Sequence, residues 1–194
     1  MAGTQRLPRE ARRAQVLEAA ARAFLQRGYD GTSMDDVAAE AGVSRLILYR
    51  VLDSKPDLYR AVLRTVLDDL AAQFTDVSVE EVRERGAPLI IMPVARAHPD
   101  AFRLLSRHAW HEELFEDVAV QFRSRVTWFA GALLRPYIDD DLVLEWASRT
   151  AGAHLVEGIC TWLDVGNPSR DDEVAAMLRD GIRAMAAAWQ SSDG

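Results

Sequence analysis

Between Ala41 and Lys55 the sequence reads AGVSRLILYRVLDSK, and most of its polar side chains donate hydrogen bonds. Ser44 here and Ser33 just upstream stand at the starts of short helices. There a hydroxyl caps the helix, and the same backbone N–H groups can receive a phosphate. Arg45 carries a planar fork able to grip guanine O6 and N7 together, a pairing that gives about 1–3 kcal/mol of discrimination. Leu46 and Ile47 suit thymine methyl groups, Tyr49 offers a phenol to a phosphate backbone, and Arg50 has a phosphate or only water for a partner. Catalytic patterns are missing from the sequence: it holds no G-x-S-x-G, no phosphate-cradling glycine loop and no H-E-x-x-H. In HAWHEE, His108, His111 and Glu112 have the i, i+3 and i+4 spacing that could share one helix face. Without cysteine ligands or another well-spaced donor, cap and surface roles fit them better. No metal, no cofactor and no enzymatic activity are expected.

The elements that must position these residues read as helices throughout. Residues 8–27 place Val16, Leu17, Ala20, Ala23 and Phe24 on one side with arginines opposite, and Gly28 stops the run. Thr32 or Ser33 then caps a helix of about eight residues, with Asp35 and Asp36 in the first turn where the helix dipole favours them. Gly42 ends it, Ser44 caps a third helix over 45–52, and Ser54 caps a longer one running to about residue 74 with Pro56 in its first turn. Further helices are expected over 78–97, interrupted by Pro88 and Pro93, and over 99–110, 112–134, 140–165 and 169–190. That makes an all-α chain of about nine helices, with no strand-like alternation and no fixed repeat.

Two short helices joined by a glycine-containing turn, with a longer helix in front, make a helix-turn-helix, whose second helix lies in a major groove. So short a helix must be clamped by its neighbours, here Val37, Val43, Leu48 and Leu52. Charge agrees in part. The chain is −7 overall, but residues 1–60 balance at +2 and residues 61–194 at −9, with Arg6, Arg9, Arg12 and Arg13 facing only Glu10 at the front.

The run VLEAAARAFLQRGYDGTSMDDVAAEAGVSRLILYRVLDSKPDLYRAVL, residues 16–63, resembles the N-terminal domain of the TetR/AcrR family of bacterial transcriptional regulators. The resemblance implies a nine-helix homodimer that binds a near-palindromic double-stranded DNA operator. It implies that a small-molecule effector in the C-terminal part changes the separation of the two heads, most often to relieve repression. It also assigns Lys55, the only lysine in the chain, to a phosphate at the start of the fourth helix. Leu46 stands where the family usually has a small residue, Val51 replaces a phosphate-reaching histidine or tyrosine, and Leu52 replaces a phenylalanine. Val51 can donate nothing, so each head loses one contact.

The division expected is a DNA-binding head over residues 1–55 and a ligand-binding, dimerising body over 56–194. In the body, Val143, Ala147, Ala151, Leu155, Ile159 and Leu163 form one ridge, and Trp146, Thr150, His154 and Glu157 trace a second stripe. With Val174, Leu178, Ile182, Met185 and Trp189 these suggest a four-helix interface with a second copy, through about 140–166 and 169–190. All five tryptophans lie after residue 100. Trp110, Phe122, Trp128, His154, Glu157 and Trp162 are therefore the expected lining of a pocket for an apolar or aromatic effector. The longest apolar stretch, APLIIMPVA, is too short to span a bilayer, no signal segment opens the chain, and Cys160 is the lone thiol, so a soluble cytoplasmic protein is expected. The alternative from a different class is a small-molecule binding or sequestering protein whose head no longer reads DNA.

Overall fold

The computed structural model describes residues 8–75 and 77–190, so Arg6 of the basic front end lies outside the described residues. Helix α1 (Arg9–Arg27) buries Val16, Ala20, Ala23 and Phe24 and turns its arginines outward. It stops at Gly28, whose φ of +73° only glycine adopts readily. Helices α2 (Met34–Glu40) and α3 (Arg45–Val51) have seven residues each, far below the roughly 12–15 at which an isolated helix becomes marginal in water. Their neighbours hold them. The buried Thr32 hydroxyl donates to the Gly28 carbonyl at 2.8 Å, and Gln15 Nε2 donates to the Ala41 carbonyl at 2.9 Å. Val37 and Leu48 are fully buried, with Val43 and Leu52 packed part-buried against them. Gly42, at φ +63°, makes the turn between the two helices.

Helix α4 (Lys55–Thr75) is capped by Ser54 Oγ, which accepts from the Asp57 N–H at 3.2 Å, and packs against α1. The expected single helix over 78–97 is two, α5 (Val79–Arg85) and α6 (Ala87–Ala97), which raises the count of α-helices among the described residues to ten. The break falls at Gly86 and at neither proline. Gly86 has φ +93°, and a Cβ there would lie 2.6 Å from Arg179 Cγ and Cδ, so both conformation and crowding demand glycine. Pro88 sits in the first turn of α6, where its missing N–H costs nothing. Pro93 stays inside the helix, which is held by the burial of Ile90, Ile91, Met92, Val94 and Ala95.

The expected 99–110 helix also changes character. Helix α7 (Pro99–Arg103) loosens into a π turn over Leu104–His108 and a 3-10 turn over Ala109–His111. Glu112 is extended and Glu113–Phe115 is a second 3-10 turn before α8 (Glu116–Leu134). His108, His111 and Glu112 therefore do not share one α-helical face, and among the described residues no group of three or more His, Cys, Asp or Glu is placed to hold a metal.

Helix α9 (Asp141–Val165), capped by Asp140, packs closely on α8: a Cβ on Gly152 would lie 2.8 Å from Val126 Cγ1. Helix α10 (Asp171–Trp189) packs on α6 and α9, and a Cβ on Gly158 would lie 2.5 Å from Leu178 Cδ2. Its first turn is fixed by Asp171, which accepts two hydrogen bonds from Arg96 at 2.8 and 2.9 Å and one from Trp162 Nε1 at 2.7 Å. The main core runs from Val16 in α1 to Ala175 in α10, and a second, smaller cluster of Leu134, Ile138, Ala147 and Ala151 joins the end of α8 to the first turns of α9. Strands are absent among the described residues, and no helix there is long and apolar enough to cross a membrane.

Candidate nucleic-acid interface and ligand cavity

Helix α3 divides cleanly. Leu48 is its one fully buried residue, Ile47 and Val51 are half-buried, and Arg45, Leu46, Tyr49 and Arg50 face outward, Leu46 with 62% of its surface exposed. Arg45 lies along this surface with its guanidinium 5.6 Å from the Tyr49 ring centre and Nη1 3.0 Å from Asp35 Oδ2. Tyr49 first, and Asp35 second, push the Arg45 pKa further up. The Arg45–Asp35 pair is exposed and screened by solvent, so Arg45 exchanges it for another partner at little cost.

The two capping serines differ. Both donors of Ser33, N–H and hydroxyl, bond to Asp36 Oδ2 at 2.8 and 2.6 Å, and the Asp36 N–H returns to Ser33 Oγ at 3.2 Å. These bonds from Ser33 hold the Asp36 carboxyl below its ordinary pKa. Ser44 Oγ accepts only a long bond from the Ile47 N–H, 3.4 Å, and its hydroxyl proton meets no acceptor among the described residues. Of the two, Ser44 has the hydroxyl donor to spare. Lys55 is half-buried, with Nζ donating to the Tyr29 carbonyl at 2.8 Å and standing 4.3 Å from the Tyr29 ring centre. An ammonium has three donors, so this tether leaves two N–H groups. Val51 and Leu52, two of the three departures from the family pattern, pack against the core, where apolar side chains serve better than a phosphate ligand, while the third, Leu46, is exposed.

Behind the head lies a cluster that sequence reading missed. Tyr59 meets Phe24, Tyr29 and Phe115 at ring-centre distances of 4.9, 5.2 and 4.5 Å, and Tyr29 meets Phe115 at 5.1 Å. Arg60 adds bonds to the Leu114 carbonyl at 2.7 Å and to Asp117 at 2.6 Å. Phe115 immediately precedes α8, so this knot joins α1 and α4 of the head side to the start of a body helix. Burial pushes the Tyr59 phenol pKa well up, so it stays neutral.

A cavity of about 660 Å³ opens in the body among α4, α5, α6, α8, α9 and α10, walled by Leu67, Phe74, Ile91, Phe129, Leu155 and Ile182 among others. Of the six candidate pocket residues Phe122 and Trp128 lie on its wall, and the other four are placed elsewhere. Trp110 has the Arg123 guanidinium 3.5 Å above its ring and donates to the Ser106 carbonyl. Trp162 is held by Asp171 and covers Gly166 so closely that a Cβ there would lie 2.2 Å from the indole. Glu157 binds Arg107 at 2.6 Å, in a network that continues to Asp164 and Arg103. His154 is exposed on the outer side of α9.

The last two placements have one cause. Ala147, Ala151, Leu155, Ile159 and Leu163 turn into the core, which rotates the Trp146, Thr150, His154, Glu157 stripe away from the body's interior. That stripe, with Trp146 packed edge-on to Trp189 at 4.9 Å, Leu142 77% exposed and Met177 64% exposed, leaves an apolar outer surface on α9 and α10.

Comparison with known proteins places this geometry. Residues 16–62 match the family described as bacterial regulatory proteins, tetR family. Over 67 residues the chain is 48% identical to the HTH-type transcriptional activator FasR of Mycolicibacterium smegmatis, covering 34% of this chain and 31% of that protein. Over 102 residues it is 36% identical to the HTH-type transcriptional regulator RutR of Escherichia coli, covering 48% and 46%. The chain thus spans less than half of the length of these curated relatives, 31% and 46%. A TetR-like transcriptional regulator from Rhodococcus sp. RHA1 shares the fold over 94% of this chain and 99% of its own, with a TM-score of 0.73 at 24% identity.

Proposed function

We propose that this chain, whose residues 16–62 form a tetR-family head, is a DNA-binding transcriptional regulator. The observation that carries the reading is α3: a seven-residue helix pinned by one buried leucine, presenting Arg45, Leu46, Tyr49 and Arg50 to solvent beside an uncommitted Ser44 hydroxyl. In this reading Arg45 leaves Asp35 for a guanine edge, Leu46 and Ile47 meet thymine methyls, and Ser44, Tyr49, Arg50 and Lys55 bear on phosphates. Ser33 serves mainly as a cap, because Asp36 takes both its donors.

Head (1–55) and body (56–194) then divide the work. The outer surface of α9 and α10, through about 140–166 and 169–190, takes a second copy, which supplies the two heads a near-palindromic operator needs. An effector in the body cavity favours one head separation over another and shifts operator affinity by its differential affinity for the two states. The aromatic knot of Phe24, Tyr29, Tyr59 and Phe115 is the physical link between them. Release of the operator on effector binding makes the protein a repressor acting in the cytoplasm.

The test is selection from a random duplex pool with purified protein, followed by gel retardation and sedimentation. Expected are a two-fold symmetric site, a dimer, and an Arg45→Ala variant that loses about 1–3 kcal/mol of specific affinity with relaxed preference at one position per half-site. Absence of retardation of any duplex at low salt would leave the small-molecule binding or sequestering protein as the better reading.

A further inference from the structure

We infer that the body cavity selects an amphipathic anion, a single acidic head on an apolar tail; this rests on the reading of that cavity as the effector site. Its wall is apolar, yet the charged side chains reaching it are Arg83, Arg125, Arg179 and Arg183, with no aspartate or glutamate among the lining residues. In a chain of net charge −7, with acid concentrated after residue 60, that sign is against the prevailing charge.

Three of the four arginines converge at one end, where α5 meets α6 and α10 crosses them. Arg183 Nη2 donates to the carbonyls of Arg83 and Glu84 at 2.7 and 3.0 Å, which fastens α10 to the end of α5. The Arg179 stem lies against Gly86, within 2.6 Å of where a Cβ would stand, while its Nε pairs with Asp180 Oδ1 at 2.8 Å and Arg183 Nη1 stands 4.0 Å from the same oxygen, so Asp180 and Glu80 offset two of the three positive charges and leave the end net positive. Arg83 has a buried Nε with no hydrogen-bond partner among the described residues, and its Nη1 has only Glu80 at 3.8 Å. Nε is shielded from the cavity, so the donors an incoming acceptor meets are the Arg83 terminal nitrogens, which have no acceptor nearer than Glu80 among the described residues. Arg125 reaches the cavity from α8, exposed and without an ion-pair partner among the described residues.

A guanidinium fork fits a carboxylate or a phosphate in two parallel bonds, and does so most strongly where water is thin. The acidic head therefore lies at the Arg83–Arg179–Arg183 end, and the tail runs between Phe122, Phe74 and Leu155. A neutral aromatic molecule would leave Arg83 unmatched, and a cation would be repelled.

The experiment uses the full chain and four twelve-carbon probes below their micelle thresholds: dodecanoate, dodecyl phosphate, dodecanol and dodecyltrimethylammonium. Intrinsic tryptophan fluorescence, to which Trp128 on the cavity wall contributes, and thermal shift read the binding, and DNA retardation is measured on the same preparation without probe. Expected is one probe per chain, with at least one of the two anions bound about tenfold or more tighter than dodecanol, the tighter of the two naming the head group, and with negligible binding of the ammonium. Arg83→Gln should weaken the anions about tenfold and leave dodecanol unchanged, which also shows that the variant's cavity is folded. Dodecanol equal to both anions, equal losses for dodecanol and the anions in Arg83→Gln, or no saturable binding of any probe would overturn the inference. Retardation of DNA without probe binding refutes the anion and leaves the regulator standing; anion binding without DNA retardation does the reverse.

Discussion

Replacing Leu48 with alanine tests whether α3, the helix proposed to face DNA, has any stability of its own. Leu48 is fully exposed to the core and not at all to water, and it is the one fully buried side chain in α3. Truncating such a leucine removes its transfer free energy and leaves a hole, together about 2.7–5 kcal/mol in well-packed sites. Seven residues cannot refill that loss, because a helix of this length does not persist unaided and Ser44 contributes only one long cap bond. Taking about 3 kcal/mol as acting on α3 alone, its opening equilibrium rises roughly a hundredfold, since each 1.4 kcal/mol is a factor of ten. Hydrogen exchange followed by mass spectrometry on peptides covering Arg45–Val51 would read this directly, with α9 peptides as the internal reference. Expected is a hundredfold loss of protection in α3 against a much smaller change around Ala151 and Ile159, which are anchored elsewhere in the core. An equal loss in both places would mean that the head does not open as a unit. Unchanged protection in α3 would mean that Leu48 is not its clamp; either result refutes the reasoning.

Asp171→Asn should cost about 1.5–3 kcal/mol at neutral pH, because it removes the charge from a part-buried carboxylate that accepts from Arg96 and Trp162. Those bonds hold the Asp171 carboxyl below its ordinary value of 3.8, so its contribution is present above that value and lost as pH falls through the lower folded value. Denaturation midpoints of wild type and variant should therefore converge only in strong acid. Gly152→Ala, with its Cβ placed 2.8 Å from Val126 Cγ1, should cost about 1–3 kcal/mol and lower the melting temperature by several degrees in calorimetry. Phe115→Leu keeps volume in the knot but removes ring contacts to Tyr29 and Tyr59, each a pair of about 0.5–1.5 kcal/mol. Its operator affinity without effector should stay near wild type, while the shift caused by effector shrinks in a titration of the two ligands together.

What could be read from the sequence was local. The stops at Gly28 and Gly42, the caps at Ser44 and Ser54 and at one of Thr32 and Ser33, and the clamp role of Leu48 each depend on residues within a few positions of one another, and the structure has them where the pattern puts them, with Ser33 the cap of α2. The outward row of α3 follows once Leu48 points in, because helical spacing fixes the rest.

The misplaced elements depended on distant partners. Gly86 broke a helix that Pro88 and Pro93 were expected to interrupt, and one reason is a side chain 93 positions away, Arg179. Trp110, Trp162 and Glu157 were drawn off the cavity by Arg123, Asp171 and Arg107, partners that periodicity cannot name. The four cavity arginines come from three helices, and the only trace in the sequence was the i, i+4 pair Arg179 and Arg183 flanking the apolar ridge of Leu178 and Ile182. Backbone caps and helical periods act over one or two turns and so belong to the sequence alone; which side chains share a cavity, and with what charge, is set by how ten helices pack, and only the folded chain decides it.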